Sequence, residues 1–175
     1  IHFANLGHKT LVFVDDPRIA SSTSQIIAEF LEGRQNSYDE YIRRNKSLIE
    51  SLSLELGNIQ FSYFHECRNV GVHHGLLLSI ERTLIENYFK ASNGSEVLVA
   101  TATLAQGINL PAEIVIIAGD DRFDEDGNNR KRVNPHELLN AAGRAGRAGL
   151  SSQGAVILIP GEIITIKGST ISNRW

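Results

Sequence analysis

Residues 97–119 read VLVATATLAQGINLPAEIVIIAG, and this stretch decides the fold that the sequence predicts. It begins and ends in nearly continuous aliphatic runs, residues 97–100 and 114–117, which are typical of strands covered on both faces. Between the runs lie two threonines, a glycine and an Asn-Leu-Pro tripeptide, a composition that favours a loop. We therefore expect two buried strands of one sheet, joined across residues 101–113.

Further strands and helices alternate with this pair along the chain. Apolar runs predict strands at residues 11–14, 72–75 and 155–159. Capping and apolar spacing predict helices from Ser22 to Gly33, over 37–56, from Ser79 and from Asn134. Residues 58–71 are ambiguous, and residues 119–134 are expected to form a polar loop. This alternation predicts one α/β domain over residues 1–175, a parallel β-sheet with helices on both faces in a three-layer α/β/α arrangement.

Composition limits the possible classes of protein without selecting one. The 175 residues are 42% hydrophobic and 21% charged, which is ordinary for a soluble domain. A single cysteine, Cys67, excludes an internal disulfide and a cysteine-rich zinc site, and it favours a reducing, intracellular setting. No metal site is expected. The net charge of −3 does not by itself indicate a nucleic-acid-binding protein, although backbone amides and a few side chains suffice to bind phosphates.

The loop of the opening stretch carries the first candidate site. Hydroxyl groups at a strand end, such as those of Thr101 and Thr103, can bind phosphate oxygens, and Gly107 allows close backbone approach. The amide of Asn109 could bond a sugar hydroxyl or lock the turn. The alternative interpretation is a plain strand–loop–strand connection in which the threonines act as caps.

The second candidate site is residues 140–149, NAAGRAGRAG. Arg144 and Arg147 are three residues apart, so on a helix end they project from one side. Small neighbours leave room for a ligand, and glycine weakens a helix by about 1 kcal/mol, so packing gives little reason for this composition. Paired guanidinium groups suit a triphosphate, where they would offset charge that develops during phosphoryl transfer. A solvated basic loop is the alternative.

The two segments, in this order, resemble motifs V and VI of superfamily 2 helicases. Their Asn-Leu-Pro and Gly-Arg-Ala-Gly-Arg forms resemble the superkiller-like DExH branch of that superfamily. Residues 70–89, VGVHHGLLLSIERTLIENYF, are similar to the segment that precedes motif V in the branch, and residues 10–16, TLVFVDD, look like its motif IV strand. The resemblance covers about residues 10–160 and implies a C-terminal, second RecA-like domain.

The resemblance also implies roles for ten residues. Arg144 and Arg147 would face ATP, with Arg147 the best candidate for an arginine finger. Four residues would contact the nucleotide, namely Gly107, Asn109, Asn140 and Gly143. Four would lie along the nucleic-acid backbone, namely Thr101, Thr103, His74 and Gly75. Asn140 departs from the glutamine usual in the family, which puts its reach to the nucleotide in doubt. For His73 and His74, a bond to a neighbouring backbone group is the alternative, and a zinc site lacks further ligands at suitable spacing.

No phosphate loop and no acidic DExH box occur in the 175 residues. The resemblance therefore implies that an N-terminal RecA-like domain of the same protein holds most of ATP and Mg²⁺, that this chain is a fragment, and that it cannot hydrolyse ATP alone. Single-stranded DNA or RNA is the expected partner, with the choice between them open. Two alternatives remain, a duplex translocase that does not separate strands and a degenerate helicase domain that serves as a binding module.

Overall fold

The computed structural model describes residues 1–31, 35–66, 69–101, 110, 112–119, 121–123, 130–132, 154–159, 163–166 and 169–172. Its α-helices are α1 (His2–Asn5), α2 (Pro17–Phe30), α3 (Gln35–Arg44), α4 (Lys46–Leu56), α5 (Tyr63–Glu66) and α6 (Ser79–Lys90), with a 3₁₀ turn at Ile59–Phe61. Its strands are β1 (Thr10–Val14), β2 (Val70–His73), β3 (Val97–Thr101), β4 (Ile114–Ala118), β5 (Asp121–Phe123), β6 (Arg130–Arg132), β7 (Ala155–Ile159), β8 (Ile163–Ile166) and β9 (Ser169–Ser172).

The strands β2, β3, β1, β4 and β7 form, in this spatial order, a sheet in which all pairs are parallel. The predicted α/β class and parallel sheet are therefore confirmed. Two small antiparallel sheets, β5–β6 and β8–β9, lie outside it. The prediction that residues 119–134 form a polar loop was wrong, because β5 and β6 lie within that range.

Each face of the sheet has its own apolar core, as the three-layer prediction requires. On one face Leu11, Leu98 and Val115 pack with residues of α3, α4, α5 and α6. On the other face Val12 and Val99 pack with residues of α1 and α2. Successive strand residues alternate between the two clusters because side chains along a strand point to opposite faces.

Helix α2 begins five residues earlier than the sequence predicted. Asp16 is its N-cap, and its carboxylate accepts a hydrogen bond from the Arg18 amide at 2.7 Å. Pro17 follows at the first helical position, where its missing N–H costs nothing. Ser22 therefore lies inside the helix, and its hydroxyl donates to the Ile19 carbonyl at 3.2 Å.

The single helix predicted over 37–56 is two helices, α3 and α4, which meet at Asn45. The Asn45 side chain donates to the Tyr41 carbonyl at 2.9 Å, so it competes with the backbone for a helical acceptor. The ambiguous stretch after α4 contains the 3₁₀ turn, α5 and the start of β2.

Helix α6 confirms the amphipathic pattern that predicted it. Its buried residues include Leu84, Ile85, Tyr88 and Phe89. The N-cap is Leu78, and Ser79 is the first helical residue, so the predicted cap at Ser79 was displaced by one position. No helix within the described ranges is long and apolar enough to cross a membrane.

Candidate nucleic-acid interface at the carboxyl end of the sheet

The carboxyl ends of the parallel strands bring together segments that are far apart in sequence. His73 of β2 pairs with Ala100 of β3, and Val14 of β1 pairs with Thr101. The residue after β2, His74, and the last residue of β3, Thr101, therefore lie at the same end of the sheet. Ligands of parallel α/β sheets bind outside these carboxyl ends.

Thr101 ends β3 and is buried, with 6% of its surface exposed. On the far side of residues 102–109, Leu110 and Ala112 are 1% and 3% exposed and belong to the core beside Val115. The two ends of the predicted first motif are therefore fixed to the sheet. Seven predicted site residues lie outside the described residues, namely Thr103, Gly107, Asn109, Asn140, Gly143, Arg144 and Arg147.

His73 is a buried member of β2 that faces helix α6. Its Nε2 lies 2.9 Å from Oε1 of Glu86. The other Glu86 oxygen lies 3.9 Å from Nζ of Lys90. Burial lowers the pKa of His73, and the Glu86 carboxylate opposes that effect. The alternative foreseen for this residue was a bond to backbone, whereas its partner is a helix carboxylate.

His74 follows the strand and is 2% exposed. Burial, assisted by the neighbouring His73, lowers its pKa, so the ring is neutral near pH 7. Neither ring nitrogen has a hydrogen-bond partner among the described residues. A neutral imidazole keeps one donor and one acceptor. Both nitrogens are buried, so at this end of the sheet His74 is an uncharged ring inside the packing and not an exposed donor.

The ring of Tyr63 covers His74. The two ring centroids are 5.3 Å apart and the planes cross at 84°, an edge-to-face contact. Sequence reasoning missed Tyr63 because it lies 11 positions before His74, in the stretch that had no clear periodicity. Its aromatic neighbours were the one available signal.

Gly75, directly after His74, is exposed. A Cβ placed on it would meet no atom within 4 Å, so this backbone faces open space. Leu76 is 80% exposed, while Leu77 is 4% exposed and its amide donates to the His74 carbonyl at 3.3 Å. Gly75 and Leu76 are therefore exposed between two buried residues, His74 and Leu77.

The end of β1 contributes an ion pair to the same end of the sheet. Arg18 binds both oxygens of Asp16 at 3.1 Å. The side-chain hydrogen bond from Arg18 lowers the pKa of Asp16 from 3.8 to about 2. The carboxylate is therefore charged at neutral pH and is paired with the Arg18 guanidinium.

Comparison with known proteins identifies the family of the chain. Residues 35–149 match the family described as the helicase conserved C-terminal domain. The chain is 30% identical over 156 residues to the DExH-box ATP-dependent RNA helicase DExH13 of Arabidopsis thaliana, which covers 88% of this chain and 7% of that protein. It is 43% identical over 108 residues to the antiviral helicase SKI2 of Saccharomyces cerevisiae, covering 59% of this chain and 8% of that one.

A third relative is the U5 small nuclear ribonucleoprotein 200 kDa helicase of Homo sapiens, 30% identical over 163 residues, with 87% of this chain and 7% of that protein covered. The chain belongs to the helicase conserved C-terminal domain family. Its relatives place it in the superkiller-like DExH branch of superfamily 2, as the sequence motifs predicted. The chain spans 7–8% of the length of these curated relatives.

Proposed function

We propose that this chain is the second motor domain of a longer ATP-dependent RNA helicase. The observation that carries the proposal is the pair Arg144 and Arg147, which lies within the matched helicase family region, residues 35–149. Two relatives from Arabidopsis thaliana, DExH13 and DExH14, are named RNA helicases, and this favours RNA over DNA as the single strand that this domain contacts.

The nucleotide side of the proposal rests on the chemistry of the donors in the sequence. Guanidinium groups offset charge that develops in phosphoryl transfer, and Arg147 would act as the arginine finger. Four residues would contact the nucleotide, namely Gly107, Asn109, Asn140 and Gly143. Because the sequence carries no phosphate loop, these residues fit only one side of a nucleotide site. The N-terminal RecA-like domain of the same protein would supply the other side and hold Mg²⁺.

The single strand of nucleic acid would bind at the carboxyl end of the sheet. Thr101, Thr103, His74 and Gly75 would lie along the backbone of the single strand. The open space at Gly75 supports close approach of a phosphate to the main chain. The setting of such a protein is intracellular, in keeping with the small nuclear ribonucleoprotein helicases among its relatives.

Substitution of the finger in the full-length protein tests the proposal. Arg147→Ala is expected to reduce RNA-stimulated ATP hydrolysis by about three orders of magnitude or more, the usual effect of losing an arginine finger. Arg43→Ala is the matched control, because Arg43 is an exposed arginine on α3 and none of the predicted site residues lies on that helix. Near-normal hydrolysis by the Arg147→Ala protein would overturn the assignment.

Two further measurements separate the proposal from its alternatives. The isolated chain should hydrolyse no ATP above background, since it holds one side of the site. A strand-displacement assay on the full-length protein distinguishes a helicase from a translocase that moves along duplex without separating it. Lack of both hydrolysis and displacement in the full-length protein would favour a degenerate binding module.

A further inference from the structure

We infer that Glu81 is a positioning residue that fixes the loop carrying His74 and Gly75 in the form that meets RNA. The inference rests on the proposed function and concerns the same end of the sheet. Glu81 lies on α6 and is buried, with 4% of its surface exposed. A buried carboxylate costs free energy unless it is hydrogen-bonded, so its contacts explain why it is tolerated there.

The Glu81 carboxylate joins two segments that are distant in sequence. Its Oε1 accepts from the Ser62 hydroxyl at 2.9 Å and from the Tyr63 amide at 3.2 Å. Its Oε2 accepts from the Leu78 amide at 3.0 Å, the contact of a helix-capping glutamate. One side chain thus holds the start of α5 against the start of α6.

These contacts fix both ends of the exposed loop. At one end, Tyr63 is held by Glu81 and its ring packs edge-to-face on His74. At the other end, the Leu78 amide is bound directly by Glu81. Between these points Gly75 faces open space and Leu76 is 80% exposed, whereas Leu77 is buried and its amide donates to the His74 carbonyl. The position of the exposed tip, Gly75 and Leu76, therefore depends on the base of the loop, which is held by Leu77 and by the three hydrogen bonds of Glu81. We call these three bonds the clamp.

Ser62 supports the clamp through a further hydrogen bond. It is fully buried, and its hydroxyl both donates to Glu81 and accepts from the Phe64 amide at 3.1 Å. Removing the hydroxyl deletes one of three bonds to Glu81 and leaves the other two in place. The chain therefore offers a mild variant and a stronger one for the same interaction.

The stronger variant is Glu81→Gln in the full-length protein. Glutamine keeps the size but has one acceptor oxygen and an amide that donates, so at least one of the bonds to Ser62, Tyr63 or Leu78 is lost. The RNA concentration that half-saturates ATP hydrolysis is expected to rise about tenfold, while the maximal rate at saturating RNA changes less than about threefold. Ser62→Ala should raise the same concentration by a smaller factor.

Glu50→Gln is the matched control, since Glu50 is an exposed glutamate on α4 and should leave both parameters within twofold, roughly the scatter expected for a surface change. A purely structural role for Glu81 predicts a different pattern, in which the maximal rate falls with the folded fraction and the half-saturating concentration stays constant. That pattern, or failure of Ser62→Ala to move the half-saturating concentration, would overturn the positioning role.

Gly75→Asp separates this inference from the proposed function. It introduces a negative charge at open backbone and should raise the half-saturating RNA concentration, more strongly at low salt. If Gly75→Asp has this effect and Glu81→Gln does not, only the positioning role is wrong. If Gly75→Asp has no effect, RNA does not bind at this loop, and both the proposed interface and the inference are overturned.

Discussion

Gly71, in the middle of β2, tests the packing between β2 and α6, on the face of the sheet that α3, α4, α5 and α6 cover. A Cβ added to Gly71 would lie 2.7 Å from Cδ1 of Leu98 and 3.1 Å from Cγ2 of Ile85, whereas ordinary contacts are 3.4–4 Å. Both neighbours are buried, at 0% and 2% exposure, so neither can turn away into solvent. Gly71→Ala therefore overpacks the contact between β2, β3 and α6.

The expected loss in the free energy of unfolding follows from the overlap of the added Cβ with Leu98 and Ile85. Inserting one methyl group into a well-packed core costs about 1–3 kcal/mol, and two contacts are violated here. In terms of equilibrium constants this is a factor of roughly 5–150. Gly75→Ala is the matched control four positions along the chain, because its Cβ would meet nothing within 4 Å.

Hydrogen exchange of the full-length protein measures the effect where it arises. Peptides covering β2 and β3 should lose protection by roughly 5–150-fold in Gly71→Ala, since core strands exchange through the larger openings of the fold. The same peptides in Gly75→Ala should keep the protection of the parent protein. Equal protection in Gly71→Ala and the parent would show that Leu98 and Ile85 do not pack on β2 as described.

Two electrostatic predictions concern single residues. Burial raises the pKa of Tyr41 to about 12, and its hydroxyl donates to the Leu84 carbonyl. The stability that this group contributes is therefore present below pH 10 and is lost as the pH rises from 10 toward 12. Between pH 9 and pH 11, the free energy of unfolding measured with urea should fall more for the parent than for Tyr41→Phe. Hydrogen bonding to Arg18 holds the pKa of Asp16 at about 2, so a carboxyl titration followed by NMR should shift toward 3.8 in Arg18→Ala and stay unchanged in Arg43→Ala.

The strands β1, β3, β4 and β7 could be predicted from sequence because their residues are nearly all apolar. The strand β2 lies at Val70–His73 and not at 72–75, and β5, β6, β8 and β9 were not predicted. The runs at 97–100 and 114–117 each became a strand with one additional residue at its end. Their spatial order could not be predicted in the same way. β1 lies between β3 and β4, and composition gives no signal for which of several equally apolar strands takes the central place.

The helix boundaries were predicted less well, for local reasons. Ser22 and Gln25 have the spacing of a capping box, but Asp16 followed by Pro17 is the stronger start because it caps the helix with a charged acceptor. At Asn45 the helix breaks where a side chain binds the Tyr41 carbonyl. Both outcomes depend on competition between nearby hydrogen bonds, which periodicity does not measure.

The two adjacent histidines show why the contacts within the site could not be predicted from the sequence. Alternation along β2 turns Gly71 and His73 toward α6, and this determines that His73 meets Glu86 on that helix. His74 lies beyond the strand, where alternation no longer applies. Its surroundings are set by Tyr63, whose amide binds Glu81 and whose ring packs on His74. Identical side chains therefore have different partners because one is positioned by the sheet and the other by a clamp. If RNA is bound at this end of the sheet, the residue that shapes the interface is Glu81 of α6, which lies inside the segment 70–89 but to which the sequence assigned no role.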